Sequence, residues 1–370
     1  MGRRLLLVGG GHAHMMTLAD IHGFVKKGHD VTVIGPSDYH YYSGMGPGML
    51  GGFYTPADIR FATRHVVEKQ RGRFILGRAA RVDPEKKIVH MESGREIPYD
   101  VVSFNAGSEV PKPDMEGDTE NIYTVKPIER LQEARDRIKG LLSKKPLRIG
   151  IVGGGPSSVE IAGNLWRLSR NTGKNSAGIT VFAGSTLMAG FSEGIRRRAR
   201  KSLSRRDIRI LEGHRVKRIT GGGVVLDTGE THGLDFIFLA LGVKPNAIFK
   251  VSGLPTGPDG GLPVNQYLQS AKYPDMFGGG DCIYFQDQPL NKVGVYAVRQ
   301  NPVLLHNLMA QLDGRALKPF DPGGDYLLIF NLGDGTGIFE KKWLTFSGRL
   351  AFLIKDYIDR RFMRKFQAIE

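Results

Sequence analysis

The sequence predicts an α/β protein: two copies of a three-layer (ββα) unit, with an α+β extension at the C-terminal end. Three observations predict it. LLLVGGGHAH (5–14) and LRIGIVGGGPSSVEIAGNL (147–165) each run an apolar strand into three glycines and then into a helix-compatible segment. Each is followed by a second short strand, DVTVIG (30–35) and ITVFAG (179–184). Each copy later supplies a strand closed by an Ala-containing glycine turn, YDVVSFNAG (99–107) and LDFIFLALG (234–242). The separation of the copies far exceeds solenoid periods and indicates a repeated domain.

Composition narrows the classes. A chain of 370 residues is long enough for two or three domains. Lys and Arg number 52 against 37 Asp and Glu, a net charge of +15. That balance suits anionic partners such as a phospholipid surface, nucleic acid or acidic small molecules, or a plain solvated surface. Cys282 is the single cysteine, so no intramolecular disulfide forms and no mechanism can cycle a cysteine pair. One cysteine and no secretory leader fit a reducing cytoplasm. No apolar run reaches the ~18 residues of a membrane span.

Taken in order, the first strand ends at Gly9, and a helix should occupy 15–27 and stop near Gly28. Glycines at such a turn let the backbone approach a phosphate, which the free N–H groups of the helix start then face. His14 stands where the third glycine of GxGxxG would be. The second strand ends in Gly35 rather than an acid, so a ribose would be held by Ser37, Asp38 or main chain. YHYYSGMGPGMLGGFY (39–54) is aromatic and glycine-rich. It either plugs a loop into the core or lets a flat ring lie against backbone, and the density of glycine favours the second. Short strands and turns fill 73–105, and 106–123 reads as a crossover between domains.

A charged helix at 129–143 leads into the second copy. There Pro156 sits in the first helical turn, Val159, Ile161, Ala162 and Leu165 supply a packing face, and Ser158 replaces the third glycine. No acid ends ITVFAG. FSEGIRRRARKSLSRR (191–206) is strongly basic and reads as a solvated helix face in preference to a phosphate or nucleic-acid patch. It has no interleaved stacking aromatics, so no nucleic-acid partner is expected. YPDMFGGGDCIYF (273–285) follows, where Asp281 could reach a ribityl or ribose hydroxyl and Cys282 reads as a small buried filler. A helix starting near Gly294 could aim its N-terminus at a ring carbonyl that becomes anionic on reduction. GRLAFLIKDYIDRRFMRKF (348–366) mixes Leu350, Phe352, Leu353, Ile354, Ile358, Phe362 and Phe366 with Lys355, Arg360, Arg361, Arg364 and Lys365. Such a helix lies on an anionic bilayer or packs on its own domain or a partner subunit. No metal site is expected, because His12 and His14 stand in a ligand turn without other ligands at metal spacing.

This order of motifs, with YSGMGPGML and KDYIDRRFM, resembles the two-dinucleotide-binding flavoprotein oxidoreductases of the pyridine nucleotide-disulfide oxidoreductase superfamily. The likeness is to type II NADH dehydrogenases, and closer still to the NADH dehydrogenase-like proteins associated with selenide, water dikinase. The resemblance implies two Rossmann-like FAD/NAD(P)-binding domains. Their expected division is 1–115 and 253–320 for FAD, 116–252 for NAD(P)H and 321–370 for the extension. It implies FAD as cofactor and NADH or NADPH as substrate. Gly9, Gly11, His12, Ala13 and His14 would hold the FAD pyrophosphate, with Ser37 at the ribose and Ala79 near the adenine. Ala106 and Gly107 would close over the cofactor, Gly280 and Asp281 would bind it, and Gly294, Val295 and Tyr296 would face the flavin ring. Gly153, Gly155, Pro156, Ser157 and Gly242 would bind the nicotinamide dinucleotide, with Glu160 near the hydride-transfer face. Glu160 and Tyr296 are the expected catalytic residues. His14, Gly35, Ala106, Ser158 and Ala183 depart from the family pattern, and no arginine at 184–187 compensates for the missing acid at Ala183. A quinone is the expected acceptor, with the protein cytoplasmic or peripheral on the inner face of the cell membrane, and a homodimer left open. The alternative is an FAD-binding redox sensor or partner-binding protein with weak or absent nucleotide oxidation.

Overall fold

The computed structural model describes residues 2–173 and 175–370. The first unit supplies strands β1 (Arg4–Val8), β2 (Asp30–Gly35), β3 (Arg73–Leu76) and β4 (Val101–Phe104). The second supplies β5 (Ile122–Thr124), β6 (Leu147–Val152), β7 (Ala177–Phe182), β8 (Arg209–Leu211) and β9 (Phe236–Leu239). The chain then returns to the first unit with β10 (Met276–Gly278) and ends in β11 (Leu328–Asn331), β12 (Gly337–Lys341) and β13 (Leu344–Gly348).

Two parallel five-stranded sheets result, in the orders β10-β4-β1-β2-β3 and β5-β9-β6-β7-β8. Leu5, Leu6, Leu7 and Val8 of β1 are all buried. A central parallel strand is covered on both faces, which is why its sequence is a continuous apolar run rather than an alternating one. Each sheet also carries an antiparallel meander, at 79–98 and 216–233, which supplies the third layer. Met115–Glu116 pairs with the second meander, so the expected boundary at 115/116 cuts a strand that belongs to the second unit. The two crossovers between units run side by side, with Ser108 opposite Pro245.

The helices used below are α1 (Met15–Ala19), α2 (Ile21–Lys26), α3 (Gly46–Gly51), α4 (Glu129–Leu142), α5 (Pro156–Thr172), α6 (Glu193–Ser204), α7 (Gly294–Asp313) and α8 (Arg349–Gln367). The single helix expected over 15–27 is broken at Asp20 into α1 and α2. Most glycines of 44–52 lie in or flank α3, which joins the second unit's core through Met49 and Leu50, with Met45 just before it. A Cβ on Gly48 would sit 2.5 Å from the Tyr54 ring, and one on Gly51 would sit 2.3 Å from Asn164 Oδ1 on α5. Glycine there allows two helices to touch, which is the plug reading. The basic segment forms α6, which buries Ile195, Ala199 and Leu203 and leaves Arg197 and Arg200 exposed as expected for a solvated face, whereas Arg206 just beyond it turns inward and donates to Leu332 O.

β11, β12 and β13 make an antiparallel sheet against which α8 packs. A Cβ on Gly163 of α5 would fall 2.0 Å from the carbonyl oxygen of Leu332, so the extension leans on α5 backbone to backbone. Among the described residues no helix is long and apolar enough to cross a membrane.

Candidate functional site

The carboxyl ends of β1, β2, β4 and β10 share one edge: Val8 lies opposite both Ile34 and Phe104, and Gly278 opposite Phe104. In open parallel sheets ligands bind outside these ends where the strand order reverses. Gly9–Gly11, Gly35–Ser37, Asn105–Gly107 and Gly279–Asp281 are therefore neighbours although the chain separates them widely. Gly9 has φ +94°, and a Cβ there would lie 2.2 Å from Asn105 O. Backbone leaves no room for a side chain at Gly9, and a Cβ on Gly11 would lie 2.0 Å from Asn105 Oδ1 and displace that side chain. Asn105 Nδ2 also donates to Gly279 O at 3.2 Å, and Gly280 N donates to Gln300 Oε1 at 2.7 Å. Asn105 thus ties three segments of the turn together, a role no sequence pattern announced.

His14 is fully buried. Its Nδ1 lies 2.7 Å from Gly9 O and its Nε2 2.8 Å from Ser103 Oγ. The carbonyl can only accept, so Nδ1 carries the proton and Nε2 accepts from the serine hydroxyl. Both nitrogens are occupied, which corrects the expectation of a ligand contact: His14 fastens the turn to β4. Burial pushes its pKa down to about 4, against a smaller opposing effect of the Gly9 carbonyl. Ala13 is equally buried, under Gly279, leaving its main-chain N–H as its only polar offering. Amides at a helix start have no intrahelical partner.

His12 points the other way. Its Nδ1 lies 3.3 Å from His40 Nε2, and its ring packs with Tyr42 and stacks on Phe362 of α8 at 5.7 Å. His12 Nε2 is buried without a hydrogen-bond partner, and Thr63 Oγ1, beside Gly10, is too. Burial, with the nearby His40 and Lys126, lowers the His12 pKa to about 3. Asp281 accepts from Ser108 Oγ at 2.6 Å and from Lys126 Nζ at 2.9 Å. Burial pushes this carboxyl up, and the Lys126 charge with these hydrogen bonds more than reverses it, so it stays an anion. Gly280, Asp281, Lys292, Val293, Tyr296 and Gln300 line one cavity, which brings the start of α7 to Asp281. Gly294 has open space where a Cβ would be, as does Gly107 at φ +69°. Tyr296 meets Tyr326 edge-on at 5.5 Å.

At the outer end of this edge Ser37 Oγ accepts from Tyr39 N at 3.2 Å, and Asp38 pairs with Arg64 at 3.0 Å. The Ser37 hydroxyl thus accepts without donating to protein, whereas the Asp38 carboxylate is engaged by Arg64. Ala79 begins a strand opposite Met91 just beyond Gly77, whose N–H bonds Gly35 O. Ala106 packs against the first core. Cys282 is buried against Phe104 O and Gly279 O, and burial raises its thiol to about 11, so it is an inert filler as expected.

These residues fit FAD: orphaned His12 Nε2 and Thr63 Oγ1, a turn where side chains are excluded, an anionic carboxylate for hydroxyls, and a helix start aimed at the same cavity.

The second turn repeats the first. Gly153 has φ +133°, and a Cβ there would lie 2.2 Å from Ala240 O. A Cβ on Gly154 would lie 2.8 Å from Ala183 O, whereas Gly155 faces open space at the start of α5. Pro156 opens that helix, Ser157 is exposed beside it, and Ser158 is buried with its Oγ unpartnered. Gly242, at φ +80°, faces open space after β9.

Glu160 is one turn further along α5. Its carboxylate accepts from Asn331 N at 2.8 Å, which fixes it toward β11 and α8. Lys355 Nζ donates to Asp359 Oδ2 at 2.8 Å and to Gly44 O at 2.9 Å, and Tyr42 OH donates to Asp359 Oδ1 at 3.0 Å. Burial raises the Glu160 carboxyl, and Lys355 and the Asn331 amide restrain the rise. Burial would lower the Lys355 ammonium, but Asp359 and Glu160 raise it. A proton-bearing network thus forms where both units and the extension meet. Lys355 is buried, on the face that α8 packs against the protein. Phe366 is also buried.

The opposite face of α8 is exposed and apolar. Leu350 is 62 % and Leu353 59 % exposed, Tyr357 and Ile358 continue the stripe, and Trp343, in the turn between β12 and β13, is 88 % exposed. Arg361, Arg364 and Lys365 extend the stripe with positive charge.

Residues 3–311 match the family described as pyridine nucleotide-disulphide oxidoreductase. The chain is 23 % identical to the type II NADH:quinone oxidoreductase of Staphylococcus saprophyticus, over 99 % of this chain and 96 % of that protein. It is 26 % identical to ferroptosis suppressor protein 1 of Taeniopygia guttata, over 71 % of this chain and 70 % of that one. Among solved structures it superposes with a TM-score of 0.81 at 14 % identity on NDH2 from Plasmodium falciparum in complex with NADH, covering 99 % of this chain and 97 % of that one. Two glycine turns at the ends of two parallel sheets, and a family match over most of its length, make this chain a member of the pyridine nucleotide-disulphide oxidoreductases.

Proposed function

We propose that this protein is an FAD-dependent NAD(P)H dehydrogenase that passes electrons to a quinone-like acceptor without a redox disulfide. The observation that carries this reading is the pair of glycine turns, each at the carboxyl end of a parallel sheet where a Cβ would strike the neighbouring strand's backbone. FAD, bound at the first turn, supplies the carrier that takes hydride from the nicotinamide and releases electrons to the acceptor. The protein's part is alignment and electrostatics. Gly9 and Gly11 admit the pyrophosphate, Asp281 holds hydroxyls, and the start of α7 presents N–H groups to developing negative charge. Tyr296 lines the same cavity. Gly153, Gly155 and Ser157 seat the second dinucleotide.

Proton balance gives the network its role. Hydride carries two electrons and one proton, while a quinone becomes a quinol by taking two electrons and two protons. One further proton is taken up from solvent, and the Glu160 carboxyl, which burial raises against the nearby Lys355 charge, would hold it on the way to the acceptor. The exposed stripe of α8 with Trp343 suits contact with an anionic bilayer, from which an apolar acceptor would be drawn.

The test is spectroscopic. The purified protein should carry a flavin spectrum that bleaches anaerobically on adding NADH or NADPH and returns on adding a soluble quinone. A bound flavin indifferent to both nucleotides would overturn the reading in favour of a sensor.

A further inference from the structure

We infer that the second dinucleotide site selects a 2′-phosphorylated nucleotide, of the NADPH class, and that Arg215 is the residue that determines this. The inference rests on the proposed reading of that site as a nucleotide site. The adenosine ribose of a dinucleotide lies beside the end of the second strand of its unit, where a carboxylate takes the ribose hydroxyl and an arginine accommodates a 2′-phosphate. Here that end is Ala183, in direct contact with the glycine turn through Gly154.

What surrounds Ala183 comes from the next strand. β7 pairs with β8, Phe182 opposite Leu211, and Ala183 N donates to Leu211 O at 2.8 Å. The residues after β8 therefore border the turn after β7, and Gly213 N donates to Ser185 O at 3.1 Å. The Arg215 side chain lies along this turn, its Cγ 3.7 Å from where a Cβ of Gly184 would be. Its main chain is held by Asp227, which accepts from Arg215 N at 3.1 Å. Asp227 Oδ1 faces His214 at 3.7 Å. Among the described residues the Arg215 guanidinium has no ion-pair or hydrogen-bond partner, and the residue is exposed.

Glu212 is the carboxylate that could have served a ribose hydroxyl. It is taken: its Oε1 accepts from Leu187 N at 2.6 Å, and its two oxygens pair with Arg200 Nη1 and Nη2 at 2.5 and 3.0 Å. So, among the described residues, the turn is bordered by an unpaired guanidinium and the Ser185 hydroxyl, while the Glu212 carboxylate is engaged by Arg200 and Leu187 N. A planar guanidinium matches two phosphate oxygens at once, which an ammonium does not. A bare 2′-hydroxyl meets nothing here that distinguishes it.

Fragments of the nucleotide test this without turnover. The FAD-loaded protein is titrated by calorimetry with 2′,5′-ADP and with 5′-AMP. The expected result is 2′,5′-ADP binding about tenfold or more tighter than 5′-AMP. Arg215→Ala should remove about ten- to a hundredfold of 2′,5′-ADP affinity and leave 5′-AMP unchanged, while Arg215→Lys restores part of it. Ala183→Asp should weaken 2′,5′-ADP selectively. Equal affinities in the wild type, or an undiminished preference in Arg215→Ala, would overturn this inference and leave the proposed function standing. Binding of neither fragment would overturn both.

Discussion

His14 holds the first turn with a neutral ring, and neutrality has a pH dependence. The unfolded imidazole titrates near 6.5, whereas the folded one is lowered to about 4 by burial. Between these values the unfolded chain binds more protons, so stability rises with pH, is complete above the unfolded value, and is lost as pH falls toward 4. At about 1.4 kcal/mol per unit, His14 alone accounts for roughly 3 kcal/mol across that window. Denaturant unfolding at pH 7 and pH 4.5 should show this loss together with that of His12 and His40, which burial lowers to about 3 and about 4, and His14→Gln should reduce the slope by about a third. An unaltered slope would show that the ring titrates freely. At Glu160 burial raises the carboxyl, and the proposed proton role is tested there. Glu160→Gln keeps the amide acceptor for Asn331 N but cannot release a proton. Reoxidation by quinone should slow by about 10²-fold, the low end of what a positioned acid contributes, while anaerobic reduction by NAD(P)H continues. Stopped-flow absorbance separates the half-reactions, and equal slowing of both would reassign Glu160 to nucleotide binding.

Elements explain what the sequence could and could not tell. The glycine turns were legible because a strand end must approach Asn105 or Ala240 backbone within a distance no Cβ allows. That constraint is local and written in one residue type. The glycines of α3 show the limit of that signal: close approach is all that glycine announces, and here the Tyr54 ring approaches Gly48 and helix α5 approaches Gly51. On α8, Lys355 and Asp359 defeat a reading by polarity: charges belong outside unless paired, and their partners, Tyr42 and Gly44, come from residues over three hundred positions away. Arg215 escaped for the same reason, since it reaches the nucleotide turn from the neighbouring strand. The apolar stripe was legible in part, because Leu350, Leu353 and Ile358 do stay outside. Leu350→Glu with Leu353→Glu should therefore abolish sedimentation with vesicles containing phosphatidylglycerol and leave thermal stability unchanged. Retained sedimentation would assign the stripe to another partner.

On the scale of the whole molecule, one strand has a consequence in time. β10 completes the first sheet by pairing with β4, Phe277 opposite Ser103, and it does so across the entire second unit. A chain emerging from the ribosome makes β1, β2, β3 and β4 early, but the far edge of β4, the seat of Asp281 and the cover that α7 lays over α1 arrive only after the second unit has been synthesised. Domains generally fold as they emerge. Here the second unit can close first, while the older half waits with an open edge of the kind that recruits other strands. Residues 1–252 expressed alone should be found in aggregates, and any soluble fraction should lack flavin on gel filtration. A monodisperse yellow fragment would show that the first sheet closes unaided. Nascent chains of this protein would then be most vulnerable in the interval between the synthesis of Phe104 and that of α7, and cofactor capture becomes one of the last events of its maturation.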